Sequence, residues 1–127
     1  MSEPSAAPAG WHTITPRIAV SDARGLVDFL TQVFAAVGAY EDGRPSIVRI
    51  GDSVVMISEV GSRDFMPAFL YVYVGDTDAT YARAVQAGAK MIEEPFDTPY
   101  GDRRCMFRDG WGNTWQVASQ ASDKGSA

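Results

Sequence analysis

One short pattern occurs twice in this chain, and its repetition constrains the fold more than any other feature. Val20-Ser21-Asp22 closes a run rich in Thr, Ile and Val and opens an amphipathic stretch, and Val74-Gly75-Asp76 does the same 54 residues later. In both copies an aspartate stands where a helix needs an acceptor for its first free N–H groups. Leu26, Phe29, Leu30, Val33, Phe34 and Val37 recur at three- and four-residue steps after the first joint, and Tyr81, Ala82 and Val85 follow the second. Gly38 and Gly88 are natural helix stops in the left-handed conformation.

Strand signals surround both helices. In the first half, His12 to Val20 reads as a strand, and a short segment follows the helix around Ala39 to Glu41. After the Gly43-Arg44-Pro45 turn come Ser46 to Ile50 and Ser53 to Ser58, joined by the tight Gly51-Asp52 pair. The second half offers Phe69 to Val74, Lys90 to Glu93 and a loop from Pro95 to Gly101. It ends in a hairpin, Arg103 to Arg108 and Thr114 to Ser119, around Asp109-Gly110-Trp111-Gly112-Asn113. Each half therefore has the order strand, helix, three strands. One such unit leaves half a sheet face uncovered, and two side by side close a curved sheet with a concave inner face. The expected fold is α+β: two βαβββ modules forming a curved mixed β-sheet cup with helices on the outside.

The module limits follow from composition. Residues 1–10 and 120–127 lack periodicity and read as disordered tails, leaving one domain at 11–119, with module one at about 11–60 and module two at about 68–119. Glu59 to Pro67 turns polar and reads as an exposed linker. No apolar run approaches the ~20 residues that cross a bilayer, and the N-terminus lacks the basic start and apolar centre of a secretory signal, so no membrane association and a cytoplasmic location are expected. A net charge of −5 argues against nucleic acid. It also attracts cationic small molecules, although a modest negative charge serves solubility equally well. Cys105 is the only cysteine and His12 the only histidine, which excludes an intramolecular disulfide and leaves the thiol without a positioned base; Cys105 reads as a core residue.

Several of these segments resemble one known family. The βαβββ duplication, the Val-x-Asp joints, Ile50-Gly-Asp-Ser-Val-Val-Met-Ile57, Tyr100-Gly-Asp-Arg-Arg104 and Phe107-Arg-Asp-Gly-Trp-Gly-Asn-Thr-Trp115 are similar to the vicinal oxygen chelate superfamily. That superfamily includes glyoxalase I, extradiol dioxygenases, fosfomycin-modifying enzymes and bleomycin resistance proteins. The resemblance covers about residues 13–119, and it implies the cup fold and a homodimer. Enzymes of the family carry metal ligands on the first and last strands of each half, and the matching positions here are Thr15, Met56, Phe69 and Gln116. A hydroxyl, a thioether, a phenyl ring and an amide do not make a divalent-metal site, so neither metal nor cofactor is expected.

Strand alternation shows what would line the cup instead. With Phe69 inward, Tyr71 and Tyr73 also face inward; Thr15, Arg17 and Ala19 join them from the first strand, Val54, Met56 and Ser58 from the fourth, and Thr114, Gln116 and Ala118 from the last. Such a lining suits a flat aromatic ligand, and it equally suits a cup filled by its own side chains. Tyr100 and Arg103, with Asp102 and Arg104 nearby, stand as rim candidates or as solvated ion pairs. Trp111 reads as a lid on the core or as lining a ligand pocket or subunit interface, with the missing metal ligands inclining it toward a pocket rim; Trp115 reads as core, and the Glu93-Glu94 pair as surface.

Three functions follow. The leading expectation is a non-catalytic protein, similar to the bleomycin resistance branch, that sequesters an aromatic antibiotic or metabolite between the subunits of a homodimer. The acidic net charge leans toward a cationic ligand. The second is an enzyme: a lyase or dioxygenase of the superfamily with unusual ligands, or a metal-free one using Arg17, Tyr71 or Tyr73 as acid or base. The third is an interaction module whose cup is filled.

Overall fold

The computed structural model describes residues 6–61 and 65–120, and the expectations for residues 1–5, 62–64 and 121–127 lie outside the described residues. The elements run β1 (Arg17–Val20), α1 (Ala23–Phe34), β2 (Ser46–Ile50), β3 (Ser53–Glu59), β4 (Phe69–Tyr73), α2 (Thr77–Gln86), β5 (Lys90–Asp97), β6 (Asp102–Arg108) and β7 (Thr114–Gln120). They form a three-stranded sheet, β1-β3-β2, and a four-stranded sheet, β4-β7-β6-β5. β1 runs parallel to β3 and β4 parallel to β7, and the remaining neighbours are antiparallel. The result is an α+β fold with an open, curved β-surface, as the duplication implied.

Both helices begin as the repeated aspartates dictate. Asp22 accepts from the Gly25 N–H at 3.0 Å and Asp76 from the Ala79 N–H at 3.0 Å. The first helix, however, stops before Gly38, because Ala35 itself takes the left-handed conformation with φ 55°. Val37 thereby leaves the apolar stripe, stands 71% exposed, and forms a two-way bridge with Arg49 at 2.8 and 2.9 Å. Ala39 to Glu41, the short segment expected to supply one of the three strands after the first helix, forms none, and the Val37 bridge lies just before it.

Other boundaries move for similar local reasons. The strand expected from His12 begins only at Arg17, although the Pro16 carbonyl still accepts from the Met56 N–H at 2.9 Å. Proline has no N–H to give to a ladder. Along α2 the buried face is Thr77, Thr80 and Ala84, and Ala82 and Val85 are exposed. The strand expected at Lys90 to Glu93 continues through Pro95 to Asp97, with register shifts on either side of Glu93. An edge strand tolerates proline and bulges, and β5 is such an edge. Residues 8–10, expected in a tail, are held by a Trp11 N–H to Pro8 carbonyl bond and by Arg49 on the Gly10 carbonyl.

One core joins the modules. α1 buries Leu26, Val27, Phe29, Leu30, Val33 and Phe34, and its aromatic rings cross to the second sheet. Phe34 lies 5.2 Å from Trp115 and 6.3 Å from Phe107, and Phe29 lies 6.4 Å from Phe107, centroid to centroid. Trp115 and Phe107 are fully buried. On the side of the second sheet away from this core, Phe69, Tyr71 and Tyr73 stand exposed, whereas Val54 and Ser58 of the first sheet are buried.

Candidate functional site

The open face of the second sheet is set by register. Tyr71 lies opposite Gln116 and Tyr73 opposite Ala118; Gln116 lies opposite Met106, and Ala118 opposite Arg104. Glu93 and Phe96 of β5 pair with Met106 and Arg104 and complete the rows. Residues directly opposite one another share a face, so these side chains form one surface. Phe69 and Tyr73 are well exposed on it, at 66% and 59%.

Asp102 organises this surface. It sits at the head of β6, buried, and its backbone is fixed to Thr98 by three bonds of 2.7–3.0 Å. Its Oδ2 accepts hydrogen bonds from both the Tyr71 hydroxyl, at 2.8 Å, and the Tyr73 hydroxyl, at 2.9 Å. Only the small Ala118 stands in register between Tyr73 and Arg104, which leaves the phenols room to reach across. The two rings are thus held 5.4 Å apart at 56°. Burial, followed by the Asp102 bond, pushes the Tyr71 pKa well above the ordinary phenol value; for Tyr73 the Asp102 bond is the larger cause. Both phenols are held neutral as hydrogen-bond donors to the carboxylate.

Arg104 extends the network. Its Nη1 donates to the Tyr100 hydroxyl at 2.8 Å, its Nη2 reaches Glu93 at 3.4 Å, and its guanidinium lies 5.1 Å from the Phe96 ring centre. Its Nε is buried without a partner. Glu93 and Phe96 were not among the expected site residues, and Asp102 and Arg104 were expected only as companions of Tyr100 and Arg103 at the rim or as solvated ion pairs. The signal was present: the period-two count that selects Tyr71 and Tyr73 on β4, applied to β6, selects Asp102 and Arg104 together.

The same alternation removes Arg103 from the site. It points to the helix-covered side, where it pairs with Asp78 at 2.8 and 3.1 Å and with Asp97 at 3.2 Å. Trp111 packs half-buried against Phe29 at 5.9 Å and over the first turn of α1, away from the Tyr71–Tyr73 face, and its outer side borders a separate recess with Ser21, Val60, Phe65 and Gly110. A Cβ on Gly25 would collide with Asp22 and come within 2.7 Å of the Trp111 ring. Gly25→Ala is therefore expected to destabilise the domain by ~1–3 kcal/mol, although alanine is the better helix former. A urea melt checks the sign.

The remaining candidates lie on the first sheet. Arg17 donates to Ser58 at 3.2 Å, and Met56 is in register with Arg17 and Ile47. Arg17, Tyr40, Arg44, Ser58 and Glu59 line a recess of about 310 Å³. A cleft of about 300 Å³ between the modules is bordered by Pro16, Asp52, Ser53, Leu70, Tyr71 and Tyr73. Thr15 precedes β1 and is half-buried.

A divalent metal fits none of this. Phe69 has no donor atom, Met56 offers a thioether and Gln116 an amide, and among the described residues no group of three or more His, Cys, Asp or Glu side chains converges. Cys105 is fully buried on the opposite side, and burial pushes its thiol pKa up to about 12, which disfavours the thiolate needed of a nucleophile or ligand.

Comparison with known proteins places this geometry. The family model for the Glyoxalase/Bleomycin resistance protein/Dioxygenase superfamily matches residues 10–117. An uncharacterized protein of Mycobacterium bovis is 28% identical over 122 residues, covering 82% of this chain and 80% of its own. Among solved structures, TioX from Micromonospora sp. ML1 superposes with a TM-score of 0.75 at 24% identity, over 84% of this chain and 97% of its own. A glyoxalase-related enzyme from Fulvimarina pelagi gives 0.71 at 15% identity, over 86% and 88% of the two chains. At these identities the structural likeness shows the fold alone.

Proposed function

The chain belongs to the glyoxalase/bleomycin resistance protein/dioxygenase superfamily, and on that premise we propose that it is a non-catalytic binding protein sequestering an aromatic antibiotic or metabolite on the Tyr71–Tyr73 face. The observation that carries this reading is the double bond of two phenols to Asp102. It fixes two aromatic rings before any ligand arrives, which lowers the ordering cost of binding, and it leaves their faces accessible. Catalysis by these groups is disfavoured: a general acid or base works best with a pKa near the working pH, and both phenols are pushed the other way.

The protein acts as a cytoplasmic homodimer in this proposal. Phe65, Met66 and Phe69 expose apolar side chains within five residues of one another, at 49%, 74% and 66%, and exposed apolar surface of this kind supports a subunit interface in this proposal.

Calorimetric titration with flat aromatic compounds tests the binding reading, and native mass spectrometry of freshly purified protein reports subunit count, metal and co-purified ligand together. Micromolar binding by a dimer is the expected result, weakened by ~1–3 kcal/mol in Tyr71→Ala or Tyr73→Ala. Absence of any aromatic ligand binding below the millimolar range refutes sequestration, and a stoichiometric divalent ion favours a metalloenzyme.

A further inference from the structure

We infer that the Asp102–Arg104 end of this face recognises an organic cation, and that the guanidinium of Arg104 holds that cation's place in this structure. The inference rests on the aromatic-binding reading and narrows its ligand to flat molecules bearing a protonated amine or amidinium group.

The surroundings of Arg104 are those of a cation site. An aromatic ring (Phe96), a phenol oxygen (Tyr100) and a carboxylate (Glu93) converge on one positive group. Yet the fit is incomplete. The Glu93 contact, at 3.4 Å, lies at the outer limit of a hydrogen bond, and the buried Nε donates to nothing. Leaving a buried donor of a charged group unmet is unfavourable, and water would meet it if the side chain swung outward on its flexible stem. The adjacent Arg103 makes the contrast: bonded through Nε, Nη1 and Nη2 to two aspartates, it shows what a permanently placed arginine on this strand looks like.

The rest of this end of the face offers acceptors. Both tyrosine hydrogens are committed to Asp102, so the phenol oxygens present lone pairs to an incoming molecule. An anionic ligand would face the Asp102 and Glu93 carboxylates, whereas a cation meets these acceptors and the ring faces. The other positive groups of the surface, Arg108 and Lys90, lie at its far end, in register with each other and beside Thr114 and Phe69. A ligand cation thus exchanges with the guanidinium against Phe96, Tyr100 and Glu93, and Arg104 moves to solvent. No covalent step is involved.

The test uses the full chain and two flat probes of nearly the same shape, 9-aminoacridine, a cation at neutral pH, and acridine, which is neutral there. Removing the internal cation with Arg104→Met should tighten 9-aminoacridine by about five- to tenfold and leave acridine within about twofold. Arg104→Gln should act in the same direction, and Glu93→Gln should weaken 9-aminoacridine selectively; circular dichroism verifies the fold of each variant. Weaker or unchanged 9-aminoacridine binding in both Arg104 variants overturns the inference, as does an equal gain for both probes, which would mean only that space was opened. If acridine binds without any discrimination by charge, this inference fails and the aromatic reading stands; if neither probe binds any variant, both fail.

Discussion

Asp109→Ala is expected to lower the unfolding free energy by ~3–5 kcal/mol, among the largest effects available to a single substitution in this chain. Asp109 is buried in the corner between β6 and β7, and everything around it donates. Its Oδ1 accepts from the backbone N–H groups of Trp111 and Asn113, both at 2.9 Å. Its Oδ2 accepts from the Asn113 side-chain amide at 3.0 Å and from the Trp115 indole N–H at 2.9 Å. The corner is passed on in turn: the Asn113 side-chain oxygen accepts from the Ala68 N–H at 2.9 Å and so fixes the entry to β4. Removing the carboxylate strands donors in a buried place, each costing ~1–3 kcal/mol, with partial relief where the corner opens to water. Asp109→Asn keeps the shape but turns an NH₂ group toward one of those donors, so it should lose nearly as much. Urea denaturation is the measurement: the midpoint should fall while the slope stays constant. A loss below ~1 kcal/mol for both variants would mean that the corner re-pairs its donors elsewhere.

This corner also shows where sequence reasoning reached its limit. The glycine-punctuated stretch from Asp109 to Asn113 announces a turn between strands, and it is one. Which of its polar residues is central cannot be seen in one dimension, because the donors that satisfy Asp109 come together only when Trp115 is buried beneath the turn. The helices were legible because their signals are local: an aspartate cap in both and, in α1, a three-to-four-residue apolar stripe, whereas α2 buries Thr77, Thr80 and Ala84 in place of Ala82 and Val85. Their ends were less so, since Ala35 adopts the left-handed conformation, which no propensity of alanine suggests, and its N–H closes the helix on the Leu30 carbonyl. At the site, alternation along a single strand placed Tyr71 and Tyr73 on the open face. Contacts between strands were invisible: the reach of both phenols over Ala118 to Asp102 depends on the register of β4, β7 and β6 together. Arg103 and Arg104 looked equivalent as neighbours in sequence. A strand sends neighbours to opposite faces, and one became a structural ion pair while the other joined the site.

Replacing Asp102 should decouple the two functions of the Tyr71–Tyr73 face, its shape and its stability. In Asp102→Ala both phenols lose their shared acceptor and the rings regain rotamer freedom, so affinity for a flat aromatic ligand should fall by roughly ten- to a hundredfold. The fold should lose much less, because the tyrosines are partly exposed and water can take their hydrogen bonds. Asp102→Asn retains a carbonyl that can accept, and it should keep more of the affinity than alanine does. Calorimetry with acridine measures the binding, and near-ultraviolet circular dichroism reports whether the tyrosines are still held. Alkaline pH provides an independent check. Tyr71 and Tyr73 have folded pKa values above the ordinary phenol value of 10.0, so the stability they contribute is complete below that value and is lost as pH rises past it toward their folded values. Wild-type protein should therefore bind and fold uniformly near neutrality and weaken above about pH 10, and that alkaline loss should shrink in Asp102→Ala, whose phenols no longer bond to a carboxylate. Unaltered acridine affinity in Asp102→Ala would show that the rings are positioned by the sheet alone, and the preorganising role of the carboxylate would have to be abandoned.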